Sequence, residues 1–294
     1  MAAEYFAREE VCVSAEGVEW LAVPGWRDLD WLWHGFSTRR GGVSGVYLPE
    51  GSEFEAGMQA GELNLGFTAA DDAACVRENR LRLVGAVTGS RETDLITVRQ
   101  VHSDVSVVAL SGPKEGPATA DGIMTDRDGL LLGILTADCI PVLVADPARR
   151  SVAAFHAGWR GTVQRVVESG IAKMRAEFGS EPEQLIAAIG PGIGACCYTV
   201  GDEVRREFES CFEYGSELFS ADEASPALRL DLVEANRRQL LAAGLAAEAI
   251  VTVGGCTSCQ PERFYSHRAS GGHAGRMMAV IGIRPESGSG PGRA

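Results

Sequence analysis

Three observations predict an α/β (α+β) fold. Short unbroken apolar runs lie in the middle of the chain, helical patterns flank them, and no linker or internal repeat divides the 294 residues. Short apolar runs bounded by turn residues are the mark of strands covered on both faces. A chain of this length has room for two average domains, yet mixed α/β units of this size commonly form one. The expectation is a single catalytic domain over 1–284 and a flexible C-terminal tail, PESGSGPGRA, at 285–294.

Residues 1–35 mix acidic and apolar positions around Trp20, Trp26, Trp31 and Trp33, which reads as early strands and turns with the aromatics packed inside. FSTRRGGVSGVY sets Arg39 and Arg40 against a Gly-rich bend, and 49–62 reads as a polar surface loop. From Asp71 to Val84, apolar Ala74, Val76, Leu81 and Leu83 among charges predict an amphipathic helix behind an Asp cap. LITVRQVHSDVSVVAL alternates as a strand does and breaks near His102, which therefore stands at a strand end or bend. GLLLGILT (129–136) and IPVLVA (140–145) follow as buried strands, Asp146 and Pro147 turn the chain, and SVAAFH (151–156) is a third strand. Val163, Val166, Val167, Ile171, Met174 and Phe178 then keep i, i+3, i+4 spacing, so one helix packs a face on that sheet. QLIAAI (184–189) is a further strand ending in GPGIGACC. Val200, Val204, Phe208 and Phe212 mark a helix, Asp231 opens another from Leu230 to Leu241, and AIVTVGG and MMAVIGI (277–283) are the last strands.

Composition narrows the function classes. With 27 basic and 40 acidic residues the net charge is −13, which argues against a general nucleic-acid binder, because phosphate affinity comes from clusters of Lys and Arg. Small polar ligands are expected instead. The first ten residues, MAAEYFAREE, lack the basic and apolar regions of a secretory signal, and no window holds the roughly 18 apolar residues of a membrane span. The eight cysteines are irregularly spread, with Cys196 and Cys197 adjacent, in a chain too large to need disulfide staples. The reading is a cytoplasmic protein with reduced thiols.

His102, Cys139 and His156 all stand at the ends of predicted strands, and a His2Cys set is a ligand group that catalytic zinc takes with one position left open. Their spacing, 37 residues between the first two, matches no compact zinc finger, so the residues also admit two other readings. One is a Cys139–His156 nucleophile pair oriented by Asp138; the other is polar ends of buried strands. A third donor at the same spot, His102, would decide for metal.

Arg40, Arg160 and Arg268 are candidate anion binders, because a guanidinium fork suits phosphate or carboxylate. GPGIG (190–194) offers amides to an anion but lacks the P-loop ending, and a tight turn accounts for its glycines more simply. CTSC (256–259) has the spacing of a redox or zinc-knuckle pair. A structural zinc needs a second pair and no second C-x-x-C exists, so one cysteine lining a pocket is the better reading.

QVHS (100–103), ADGIMTD, LTADCIPVLVADP, AFHAGWRGT, IGPGIGACCYTVGDEV, DLVEANRRQL, GGCTSC and FYSHRASGGHAGR together resemble the YfiH family, long labelled polyphenol oxidase or laccase-domain proteins. The resemblance runs in order from FSTRRGGVS at residue 36 to VIGI at 283. It implies one domain of layered α/β/β/α type with mixed sheets. It also implies a metal, usually zinc with copper possible, on the histidine of QVHS, the cysteine of TADC and the histidine of HAGWRG, here His102, Cys139 and His156. The word laccase fails a physical test. Multicopper oxidases need a blue-copper centre and a separate cluster of imidazole-bound coppers, which five histidines do not supply.

The resemblance implies instead purine nucleoside chemistry: phosphorolysis of adenosine, guanosine, inosine and methylthioadenosine, and deamination of adenosine. Zinc supplies such a site with acidified water suited to C6 of adenine. Asp138 would handle protons or orient a ligand, with Arg40 and Arg160 on phosphate. The partners expected are purine nucleosides and phosphate, with no nucleic acid and no membrane, bound by a monomer or homodimer. Two alternatives are a metal-dependent amidase editing muropeptide precursors of the cell wall and a thiol-rich metal buffer without activity. One departure is the segment ASGGHAGR (269–276), looser than the family's R-D-G-x-T-G-R, in which His273 reads as a surface loop residue rather than a fourth ligand.

Overall fold

Apolar strands that must be covered on both faces stack into layers, and the computed structural model shows which layers they form. It describes residues 9–48, 61–112, 116–222 and 225–286. Most of the 49–62 loop and all but the first two residues of the 285–294 tail lie outside these. Gly61–Glu62 form a short strand paired with Arg40–Gly42, so the end of that expected loop is sheet.

Two six-stranded mixed sheets carry the fold. The first runs, in spatial order, Glu10–Val13, Glu19–Ala22, Leu32–Ser37, Met277–Ile283, Leu130–Thr136 and Asp94–Thr97. The second runs Ile250–Thr252, Ile186–Ile189, Ile140–Asp146, Ser151–Ala157, Gly122–Thr125 and Ser106–Val108. Side-chain alternation at period two explains the stacking. In the first sheet Leu132, Ile134, Ala279 and Ile281 face the second sheet, where Leu143, Ala145, Val152 and Ala154 meet them in one buried cluster.

The intervening residues face outward. Leu131, Met278 and Val280 pack with Leu83 and Val84 of helix Ala73–Thr88, which Asp72 caps through its side chain. Val142, Val144, Ala153 and Phe155 pack with Val167, Ile171 and Met174 of helix Val166–Phe178 and with Leu240 of helix Leu232–Ala242. The order helix, sheet, sheet, helix is the layered arrangement expected.

Three local differences have physical causes. The expected helix from Val163 to Phe178 is two, Trp159–Val163 and Val166–Phe178, because Arg165 takes a left-handed backbone between them. Thr199–Val200 is a strand rather than the start of the helix Asp202–Cys211, and it pairs with Ser225–Leu230 in a small third sheet with Phe219–Asp222. The glycines of GPGIG have no left-handed angles; they are set by close packing, since a methyl on Gly190 or Gly192 would stand 2.2 Å from Phe36 or 2.4 Å from Ile140. No described helix is long and apolar enough to cross a membrane.

Candidate metal centre

Connections that cross between the sheets bring distant residues to one point. His102 lies on the link from Asp94–Thr97 to Ser106–Val108, and Cys139 on the link from Leu130–Thr136 to Ile140–Asp146, each passing from the first sheet to the second. His156 stands in Ser151–Ala157, where it pairs across from Pro141. One ligand atom from each of His102, Cys139 and His156 lies within 4.8 Å of the others. His102 Nε2 is 3.8 Å from Cys139 Sγ.

The chain is bent to achieve this. His102 and Asp138 have φ of 62° and 89°, two of only four non-glycine residues with positive φ among those described. Such angles are uncommon outside glycine and persist where surroundings hold them. Gln100 secures the first bend, donating to Leu135 O and accepting from Leu135 N at 2.8 Å each. Space against the donors depends on Gly158, where a methyl would stand 2.8 Å from His102 Cδ2 and 3.0 Å from Cys139 Sγ.

Asp121 organises the centre. Wholly buried, it accepts from the backbone N–H of Val101, His102 and Ser103, from Ser103 Oγ, and from His156 Nδ1 at 2.8 Å. That last bond leaves His156 Nε2 to face the Cys139 thiol, the usual arrangement behind a metal-ligating histidine. Burial by itself would raise the Asp121 pKa, but His156 and the Ser103 and Val101 donors hold the carboxyl well below the usual range. Asp121 lies within ADGIMTD, a stretch whose local pattern assigns it no role. An acid at the head of the short apolar run GIM is the one local signal that could point to it.

The remaining electrostatics follow. Burial pushes the Cys139 thiol up, yet the charge of His156 and the hydrogen bond from His102 outweigh it and bring it down to about 6. Burial likewise opposes charge on His156, but the Cys139 thiolate and Asp121 raise it to about 9. A thiolate beside two imidazoles is a donor set that fits a divalent metal such as zinc with a coordination position left over.

Beside these donors opens a cavity of about 480 Å³. His102, Cys139 and His156 line it together with Phe67, Arg99, His267 and Arg276. This volume suits a small organic ligand. Arg40, Arg160 and Arg268 do not line it. Arg40 pairs with Glu19, Arg160 lies over the Trp159 ring at 4.2 Å, and Arg268 donates to Thr199 O and Oγ1.

Asp138 is buried and turned away from the donors, accepting from Thr257 Oγ1 at 2.6 Å and from Arg268 N at 2.7 Å. Of the remaining histidines, His267 lines the cavity without joining the ligand group, and His34 and His273 stand apart from both. His34 is buried beneath Trp26 and held neutral, its pKa lowered to about 4 by burial, while exposed His273 rests against Tyr47. Three amides of GPGIG are committed too: Gly190 N to Pro141 O, Ile193 N to Asp138 O and Gly194 N to Cys256 Sγ.

Residues 33–284 match the family described as multi-copper polyphenol oxidoreductase laccase. A purine nucleoside phosphorylase of Deinococcus radiodurans is 40% identical over 262 residues, covering 89% of this chain and 93% of its own. The purine nucleoside phosphorylase YlmD of Geobacillus stearothermophilus is 36% identical over 264 residues, covering 87% and 95%. The crystal structure of that YlmD superposes with a TM-score of 0.80 at 32% identity, over 94% of this chain and 100% of the other. The adenosine deaminase RL5, from an unknown prokaryotic organism, is 34% identical over 254 residues, covering 84% and 92%.

Proposed function

The chain belongs to this laccase-domain family of YfiH type, and from that premise we propose that it is a zinc-dependent purine nucleoside phosphorylase that also deaminates adenosine. The observation that carries the reading is the convergence of His102, Cys139 and His156 on the wall of a cavity sized for a nucleoside. The names of the relatives support the substrate class. Copper oxidase chemistry is disfavoured by the donor set, because two of the five histidines join the group and a multicopper cluster needs many more.

The chain's own residues divide the work. Phe67, 55% exposed at the cavity, presents an aromatic face on which a purine can stack. Arg276 and Arg99 bring positive charge to the cavity, the first held by the carbonyls of Ala274 and Gly275 and the second by Thr119 Oγ1. They replace Arg40 and Arg160 in this proposal as the phosphate binders. In phosphorolysis a phosphate oxygen bonds to C1′ of the ribose while the C1′–N9 bond breaks, and the base leaves with the electron pair and takes up a proton. In deamination water adds at C6 and ammonia departs. Zinc on His102, Cys139 and His156 would supply Lewis acidity and lower the pKa of water. Asp121 holds His156 in register, and Asp138 acts as a positioning residue through Thr257 and Arg268.

Purified protein incubated with adenosine should yield inosine without phosphate, and hypoxanthine with ribose 1-phosphate when phosphate is added. No turnover of any purine nucleoside, together with cleavage of a serine-bearing muropeptide precursor, would replace this reading with the amidase.

A further inference from the structure

CTSC finds its second pair in the vicinal Cys196–Cys197. The four Sγ atoms of Cys196, Cys197, Cys256 and Cys259 all lie within 4.8 Å of one another, although the two pairs are some 60 residues apart, as the 63 between Cys196 and Cys259 shows. We infer that these four cysteines form a second metal site, which takes a thiophilic divalent cation of the zinc class and clamps two loops together.

Sulfur spacing supports this. Cys259 Sγ is 3.5 Å from Cys196 Sγ and 3.3 Å from Cys197 Sγ, and a tetrahedron with zinc–sulfur bonds of about 2.3 Å has edges of about 3.8 Å. All eight cysteines are free thiols. The backbone is arranged as around a metal knuckle. Cys259 N donates to Cys256 O at 3.2 Å, closing the C-x-x-C turn, and Gly194 N donates to Cys256 Sγ at 3.2 Å. A methyl on Gly194 would stand 3.2 Å from Cys256 Cβ and 3.3 Å from Cys196 Sγ, so glycine there admits the close approach.

Core filling does not explain the cluster, because Cys196 and Cys259 are exposed. All four donors are sulfur, and none lines the cavity beside His102. Four thiolates close the coordination shell, the mark of a structural site. Binding sends the thiol protons to solvent and involves no oxidant. The clamp reaches the first centre through Thr257, which lies between two of the ligands and donates to Asp138, the neighbour of Cys139.

The test uses reduced full-length protein loaded with cobalt(II) or zinc. Wild type should bind two ions. Cys139→Ala should keep one, whose cobalt spectrum carries the charge-transfer intensity of four thiolates; the double variant Cys256→Ser, Cys259→Ser should keep one with the intensity of a single thiolate. The Cys139→Ala arm stands even where the double variant does not fold. Absence of bound cobalt in Cys139→Ala would overturn the site, as would recovery of the four cysteines as two disulfides from freshly isolated protein.

Discussion

Two sulfur-bearing clusters sit at opposite ends of one short chain of contacts, and they are built to different plans. The His102, Cys139 and His156 centre takes its donors from crossovers and a strand end, beneath an open cavity. The Cys196, Cys197, Cys256 and Cys259 cluster takes all four from two loops, with two sulfurs at the surface. Three mixed donors leave a position for a reactant, whereas four thiolates leave none. If both proposals hold, the difference teaches that donor number and access, rather than the presence of cysteine, separate a site for chemistry from a site for cohesion.

The largest test of that contrast is Cys139→Ala. Purine nucleoside turnover should fall to background while the four-thiol cluster keeps its ion, as read by activity and metal content on one preparation. Full activity in this variant would remove the metal assignment of the open centre.

Next comes thiol reactivity in chelator-treated protein. Cys139 is drawn down to about 6, whereas hydrogen bonding to Cys197 pushes Cys259 up to about 11. A thiol whose pKa lies below ambient pH is mostly thiolate, so at pH 7 Cys139 is ionised and Cys259 is not. The lower-pKa thiolate is the weaker nucleophile, which leaves Cys139 on the order of 100-fold faster toward iodoacetamide at pH 7. Mass-spectrometric rates against pH should place the Cys139 midpoint near its value of about 6 and show Cys259 reacting only in strong alkali. Equal rates would erase the electrostatic contrast.

Asp121→Asn should weaken metal affinity at the open centre by roughly 10–100-fold, the usual cost of losing a carboxylate behind a ligating histidine. Affinity at the four-thiol cluster should not move. Competition with a chromophoric chelator reads both sites.

The smallest effect is expected from Thr257→Val, which cuts the contact joining the regions. Asp138 would keep its bond from Arg268 N and lose that from Thr257 Oγ1, costing about 1–3 kcal/mol of stability by thermal or chemical unfolding. Turnover should drop a few-fold with metal content unchanged at both centres; loss of either ion would mean that the contact holds the sites rather than tunes them.

Much of this is legible in the sequence. Leu130–Thr136, Ile140–Asp146 and Ser151–Ala157 read as buried strands because their apolar runs admit no exposed face, and Asp231 announced its helix through a cap whose chemistry is local. His102, Cys139 and His156 were visible as a donor set through their residue types and their places at strand ends. Strand Ser225–Leu230 is not legible there, because a short strand in a small sheet carries little periodic signal. The role of Asp121 is not legible either, since its partners, His102 and His156, are far from it in sequence.

By itself the sequence determined the layers: period-two and period-3.6 patterns are local, and burying them leaves few ways to stack. It also offered His102, Cys139 and His156 as possible metal donors. Tertiary structure alone decided which of them meet. It brought Arg99 and Arg276 to the cavity and kept Arg40, Arg160 and Arg268 from its lining. It turned Asp138 toward Thr257, and it completed CTSC with a pair some 60 residues upstream, 63 from Cys196 to Cys259. The physical reason is that a ligand or a charge acts through distances of a few ångströms, and the register and crossovers of two sheets set those distances without leaving a mark in local spacing.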